Sequence, residues 1–479
     1  MSLISKSLLK KTKKSSKDDD AEPRDAEKSS SKKLKKPSTA ETVADIYGNN
    51  SDSDRPTKPS ATLYDEVPKR AGDDTVLALD IGTEFVKAVI ARRKKNGDLE
   101  IIGVGRAQQG ASNMYAGAIA DIPGVVATCE KALSEAERTA GVIARLTVVG
   151  IAGELVKGNT STVRYKRKNG SKPISEGEMT AIIEKVQARA GEKARAEVAL
   201  ETNNPDIEVR LINSAIVALS IDGYKVSNPI GFKGSDLSIQ FYTAYAPLVH
   251  ISAIEKVCAE LNLDLLAVAV EPFAVCRACL GDDLDSNFSA IMMDVGGGTT
   301  DLAVINDGGV EGTKMFSIGG RSFTHRIANK LGVDFATAEK LKLNHDEIDL
   351  SSNTKAKLEG AIAENLAVWI SGVTISLDEF DVSERLPARI YLCGGGAGLV
   401  ELQEYLATED WYTDLPFVRR PVVHLVEAED IPGVVNKTDA ELDYSYATAL
   451  GLLRVALDTM TGVPEGTGLR ARIAKLLQN

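Results

Sequence analysis

Four histidines and five cysteines in 479 residues leave little material for several common chemistries. His250, His325, His345 and His424 are scattered and form neither a catalytic triad nor a metal box. Cys129, Cys258, Cys276, Cys279 and Cys393 are an odd number in a large chain, which fits a reducing cytoplasm. Cys276 and Cys279 have a redox or half-zinc spacing, but their surroundings read as a helix and no second pair accompanies them. Buried small side chains are the simpler account. No run of ~18 apolar residues is present, so no segment is expected to span a membrane. The N-terminal stretch lacks a long apolar region with a cleavage site, so secretion is not expected. Walker loops and dinucleotide fingerprints are missing as well, which excludes those two phosphate-binding designs.

What is present is an ordinary soluble composition, 43% hydrophobic and 26% charged, long enough for two to four globular units at ~100–200 residues each. The net charge of −11 conceals an asymmetry. Residues 1–70 carry 16 Lys+Arg against 12 Asp+Glu, whereas residues 71–479 carry 41 against 56. An acidic body argues against nonspecific nucleic-acid binding, which needs a concentrated basic surface. Residues 1–70 are rich in Ser, Lys, Asp and Pro and are expected to form a disordered basic arm, since they cannot bury enough apolar surface to offset chain entropy.

Order begins at Thr75-Val-Leu-Ala-Leu-Asp-Ile-Gly, a β-rich run that ends in an acidic glycine turn. Strands at Phe85–Arg92 and from Leu99 complete a meander, and a helix near Gly124–Ala140 follows. The order recurs from Ser289: strand, acidic glycine turn, strand, a third strand near Lys314, then a helix from Arg321. Two related halves are therefore expected. Between about 157 and 243, a helix (Ser175–Ala190) and alternating strands suggest an inserted α+β subdomain.

The chemistry concentrates in three glycine turns. In Asp294-Val-Gly-Gly-Gly-Thr-Thr-Asp301, glycines let backbone N–H groups approach an anion, threonines add donors, and the carboxylate suits hydrated Mg²⁺. Asp80-Ile-Gly-Thr83 is a second acidic turn at the equivalent place of the other half. Two such turns facing each other could grip a polyphosphate and its metal. Gly394-Gly-Gly396 follows an apolar strand and precedes a helix, a junction that lets a planar ring or phosphate lie against backbone.

In this order the turns resemble the actin, Hsp70 and sugar-kinase ATPase superfamily, over about residues 75–457. Glu271-Pro-Phe-Ala and Tyr446-Ala-Thr-Ala-Leu-Gly-Leu-Leu453 are similar to its two connecting motifs. The resemblance implies an α/β fold: a duplicated actin-like (ribonuclease H-like) ATPase core with an inserted α+β subdomain. It implies ATP and Mg²⁺ as cofactors, with Asp80 and Asp294 holding Mg²⁺ largely through water. Gly82, Thr83, Gly296, Gly297, Gly298, Thr299 and Thr300 would cradle the phosphates. Gly394, Gly395 and Gly396 would border the adenosine, and Glu339 and Lys342 would contact the ribose and adenine. Glu271 stands where some members place a carboxylate near the metal or the attacking water.

The insertion in the first half resembles the FtsA family of bacterial cell-division proteins and their PilM-type relatives in type IV pilus machines. The expected division is an arm (1–70), a first half (71–156 and 244–288), the insert (157–243), a second half (289–457), a linker (458–468) and a short helix (469–479). In that helix Leu469, Ile473, Leu476 and Leu477 share one arc and basic residues flank it, a pattern that suits a membrane surface. FtsA-like function implies a cytoplasmic protein at the inner face of the membrane that polymerises, tethers the tubulin-like division protein and recruits other division proteins through the insert. At most slow ATP hydrolysis is expected. The alternatives are a PilM-type pilus adaptor and, further off, a small-molecule kinase of the superfamily.

Overall fold

The computed structural model describes residues 69–460 apart from 71, 73, 96, 227, 281–287, 345–347, 349, 381–384 and 428–429. These lie in one compact unit, Glu66–Asn479. The basic arm up to residue 68, residues 461–468 of the linker and the 469–479 helix fall outside the described residues.

The first half opens with strands β1 (Thr75–Ile81), β2 (Phe85–Arg93) and β3 (Leu99–Gln108), an antiparallel meander. Helix α1 (Ile122–Ala140) leads to β4 (Leu146–Ile151), which pairs parallel with β1. The insert follows: β5 (Lys157–Lys166), α2 (Glu176–Thr202), β6 (Val209–Ile221) and β7 (Asp236–Pro247). The chain returns through α3 (Leu248–Glu260) to β8 (Asp264–Val270), parallel to β4, and then α4 (Glu271–Leu280).

The second half repeats the plan. Strands β9 (Ala290–Val295), β10 (Thr300–Asn306) and β11 (Gly309–Phe316) form the meander. Helices α5 (Gly320–Leu331), α6 (Phe335–Asn344) and α7 (Ser352–Asp378) precede β12 (Arg389–Cys393), parallel to β9. Helix α8 (Val400–Thr408), β13 (Val422–Leu425), β14 (Val434–Asn436) and α9 (Ala447–Met460) complete the described chain. The strand orders β8-β4-β1-β2-β3 and β13-β12-β9-β10-β11 are the same arrangement twice. Central strands such as β1, buried along its whole length, read as continuous apolar runs because helices cover both faces.

Three features add to what the sequence suggests. The insert's strands do not form a separate sheet. They extend the second half's sheet, because β5 pairs with β11 at Gly158–Thr313 and Asn159–Gly312. The insert's helix runs to Thr202 rather than stopping near Gly191: that glycine lets the helix lie against Tyr245, whose hydroxyl donates to the Gln187 carbonyl at 2.5 Å. Finally, β14 joins the first sheet beside β3, and α9 packs on that sheet with α4, where Gly451 meets the Ala274 backbone. Cys276 is buried and Cys279 half-buried within α4, as small core side chains. Helix α7 is long and apolar enough to cross a membrane by composition, yet half of that stretch is buried in the second half's core around Trp369.

Close helix-to-sheet approach depends on missing side chains. A Cβ at Gly105 of β3 would overlap the Ala132 carbonyl of α1. Gly105→Ala is expected to lower stability by about 1–3 kcal/mol in urea unfolding. Gly177→Ala, on α2 with nothing close to its added methyl, is expected to be neutral or to gain up to about 1 kcal/mol.

Candidate functional site

The site lies where the two halves meet. Asp80 on β1 and Lys87 on β2 are direct cross-strand partners, so their side chains project to one face. Lys87 Nζ lies 3.0 Å from Asp80 Oδ2, and both residues are buried. In the second half, buried Asp294 on β9 is opposite buried Asp301 on β10. Thr448 Oγ1, at the start of α9, donates to Asp294 Oδ2 at 2.5 Å. Thr299 Oγ1 donates to Asp301 Oδ2 at 3.2 Å. Glu271 begins α4 and lies against Gly150 of β4, where a Cβ would come within 2.9 Å of Oε1.

Asp80, Asp294 and Glu271 thus act on one ammonium group, and Asp301 joins them through Asp294 and Glu271. Burial raises Glu271 well above the usual carboxylate range, Asp80, Asp301 and Asp294 add to the rise, and Lys87 opposes it. Burial also raises Asp294, against the Thr448 hydrogen bond and with Asp80 adding to the rise. Asp301 is pushed well up by burial and then by Asp294. Burial works against the Lys87 charge, but Asp80 and Asp294 outweigh it and hold the lysine above its ordinary value. The centre is short of positive charge, a deficit that a divalent cation would meet. Among the described residues no three Asp, Glu, His or Cys side chains converge to enclose an ion directly. Such a donor set suits Mg²⁺ that keeps most of its waters.

The glycine turns close around this centre. Gly82 N–H donates to the Phe85 carbonyl at 3.1 Å, and Gly296 N–H to the Thr299 carbonyl at 2.9 Å. A Cβ at Gly298 would sit 2.9 Å from Thr83 Cγ2, and one at Gly297 2.9 Å from Glu84 Cβ. The turns of the two halves therefore touch. Arg321 Nε, 3.7 Å from Glu84 Oε2, crosses the same seam. Gly394 has φ +84°, and a Cβ there would overlap Asp294 Oδ1, so only glycine fits. Gly396 packs on Val295, whereas Gly395 faces open space.

Glu339 and Lys342 stand on one face of α6, with Nζ 2.9 Å from Glu339 Oε2. Lys342 also donates to the Gly320 carbonyl at 3.1 Å and to Thr324 Oγ1 at 2.9 Å. Gly320 in turn lies close to Gly396, which brings the α6 pair to the third glycine turn. Thr300 differs from the other residues read from the sequence. Its hydroxyl donates to the Ile318 carbonyl at 2.7 Å and accepts from Trp369 Nε1 at 2.9 Å, so it braces the second half's core.

Lys87, Thr448 and the Glu84–Arg321 pair were not singled out from sequence. A lysine inside the apolar run Val86-Lys-Ala-Val-Ile, across a tight turn from Asp80, was the available signal for the first. Thr448 and Arg321 reach the site only through tertiary packing.

The family model described as "Cell division protein FtsA" matches residues 291–451. FtsA of Enterococcus faecalis is 26% identical over 359 residues, 68% of this chain and 76% of that protein. FtsA of Neisseria meningitidis serogroup B is 25% identical over 442 residues, 84% of this chain and 98% of that protein. Among solved structures, a chain of the PilM–PilN type IV pilus biogenesis complex superposes with a TM-score of 0.55 at 18% identity, covering 80% of this chain and 98% of that one. The fold is actin-like, and the sequence is similar to FtsA over the spans given.

Two substitutions test the electrostatics. Lys87→Met leaves Asp80 buried without its cation and is expected to cost about 3–5 kcal/mol in chemical unfolding. A carboxyl raised in the folded state holds a proton that the unfolded chain releases, so stability falls as pH rises from the ordinary carboxylate range through the raised value. Glu271→Gln removes that penalty. It is expected to raise stability at about pH 8 by on the order of 1–3 kcal/mol, with the gain shrinking towards zero near pH ~4, as read by thermal unfolding across pH.

Proposed function

We propose that this chain is an ATP-binding, actin-like cell-division protein whose two halves close on a Mg²⁺–nucleotide. The observation that carries the reading is the contact between two acidic glycine turns, one from each half, around Lys87. Similarity to FtsA over most of the chain supports the cellular role.

In this reading Thr83, Gly297, Gly298 and Thr299 offer backbone N–H groups, and Thr83 its hydroxyl, to the β- and γ-phosphates; Gly82 and Gly296, whose own N–H groups close the turns, let the backbone come near, and Lys87 adds a cation. Asp80 and Asp294 hold Mg²⁺ through its waters, held in place by Lys87 and Thr448 respectively. Gly394–Gly396 borders the adenosine, with Glu339 and Lys342 at the ribose and adenine. Glu271, beside Asp80 and Asp294, would act near the metal or the attacking water. Bound nucleotide supplies the charge balance and the bridge between the halves, and its hydrolysis is slow. ATP acts as a conformational clamp, because a ligand that touches both halves favours the closed state by its differential affinity.

At the cell scale, the protein self-associates at the inner face of the membrane at the division site. It tethers the tubulin-like division polymer and recruits other division proteins through the insert. The segment 469–479, whose sequence suits an amphipathic helix, contacts lipid, several copies adding by avidity.

Asp294→Ala is expected to abolish binding of a fluorescent ATP analogue, with retained thermal unfolding as the folding control; unchanged affinity would refute the nucleotide reading. A fluorescent fusion of the full chain is expected to form mid-cell rings, and foci confined to pilus machinery would favour the adaptor role instead. Removal of residues 467–479 is expected to abolish co-sedimentation with anionic liposomes, and undiminished binding would remove the anchor from the proposal.

A further inference from the structure

Strand β5 is fully paired on one side only. Its register with β7 runs unbroken from Lys157–Tyr245 to Lys166–Asp236. On the other side it meets β11 only at Gly158 and Asn159, with the Thr160 hydroxyl then donating to the Val310 carbonyl at 2.5 Å. Strand β11 begins at Gly309, so the two part there. Among the described residues, no strand covers this second edge of β5 from Ser161 to Lys166. In antiparallel pairing every second residue turns its N–H and C=O away from the partner, so the stretch presents roughly three outward donor–acceptor sets.

The side chains sort by the same alternation. Val163 and Tyr165 pack on the insert's core beneath α2, whereas Thr162, Arg164 and Lys166 are exposed. Lys168, Lys172 and Lys233 continue the exposed cations at the insert's tip, beside Phe232 at 52% exposure. Arg167 is set apart from them: it is buried and makes a two-pronged bond to Glu178, at 2.8 Å through each nitrogen. The exposed acid closest in register is Asp236, opposite Lys166. A basic edge therefore stands on a body that carries 41 basic against 56 acidic side chains over residues 71–479.

Charges on an open edge discourage pairing between copies of one protein. Charges of a single sign do more, because they also select a strand of the opposite sign. We infer that the Ser161–Lys166 edge accepts an extended acidic segment of a partner protein as an added strand. Main-chain bonds give affinity, and Arg164 and Lys166 read carboxylates at alternate positions. The tip lysines lengthen the grip beyond the strand. The inference builds on the insert as the recruiting surface and does not require nucleotide binding.

The test uses the full chain without nucleotide and a fluorescein-labelled peptide of about ten residues alternating Glu and Thr, read by anisotropy at low salt. Saturable binding is expected, weakened at least about tenfold by Arg164→Glu with Lys166→Glu and unchanged by Lys131→Glu on α1. Two further peptides, N-methylated at odd or at even backbone positions, keep the charge and block one hydrogen-bonding edge each. One methylated peptide is expected to lose binding and the other to retain it. Equal affinity of both would reduce the contact to charge alone and overturn the added strand. Absence of peptide binding would also overturn it, as would capture of anionic vesicles through Arg164 and Lys166 in its place. Because nucleotide is left out, loss of the ATP reading leaves this result standing.

Discussion

A cluster of four interacting carboxyls that holds a single ammonium group, Lys87 paired to Asp80, is the constraint around which this structure is arranged. Lys87 comes from β2, Asp80 from β1, Asp294 and Asp301 from β9 and β10, and Glu271 from the start of α4. Bringing like charges together out of water is costly, so each of these elements must be held from elsewhere. Trp369 and Thr300 brace β10 from the second core, and Thr448 brings the start of α9 onto Asp294. The glycines follow from the same demand. Without Cβ atoms at Gly298 and Gly394, the backbone turns can approach Thr83 and Asp294 closely enough to seal the centre.

The insert adds a second tie between the halves. Its chain leaves the first half after β4, while its hydrogen bonds extend the second half's sheet through β5 and β11. Ser317 reinforces the junction by donating to Glu154 Oε1 at 2.5 Å. Any opening of the cleft must therefore carry the insert with the second half or break the β5–β11 pairs. Events at the insert and events at the glycine turns share this mechanical connection.

Much of this architecture was readable in the sequence because its signals are local. Asp80-Ile-Gly-Thr83 and Asp294-Val-Gly-Gly-Gly are short strings whose backbone requirements show in their composition, and their repetition at equivalent places revealed two halves. Pairing across a sheet is not local. Lys87 looked like one polar residue in an apolar strand until the hairpin register set it opposite Asp80. Gly191 looked like a helix end because the Tyr245 ring that rewards its missing side chain lies more than fifty residues downstream. Thr300 shows the reverse case: its place in a phosphate-like string suggested a ligand contact, whereas Trp369 and Ile318 already occupy its hydroxyl.

The return of β14 and α9 to the first sheet has a consequence for how the chain acquires its shape. Strand β1 is made early, yet the apolar face of α9 that covers its sheet, from Ala447 through Leu457, is translated more than 350 residues later. A nascent chain therefore carries an incomplete first half throughout synthesis of the second. Contacts of such long sequence separation form slowly, since the loop between them must close before they are rewarded. Helix α9 acts as a keystone, and the interval before its arrival is when the uncovered sheet is most open to chaperones or to misassembly.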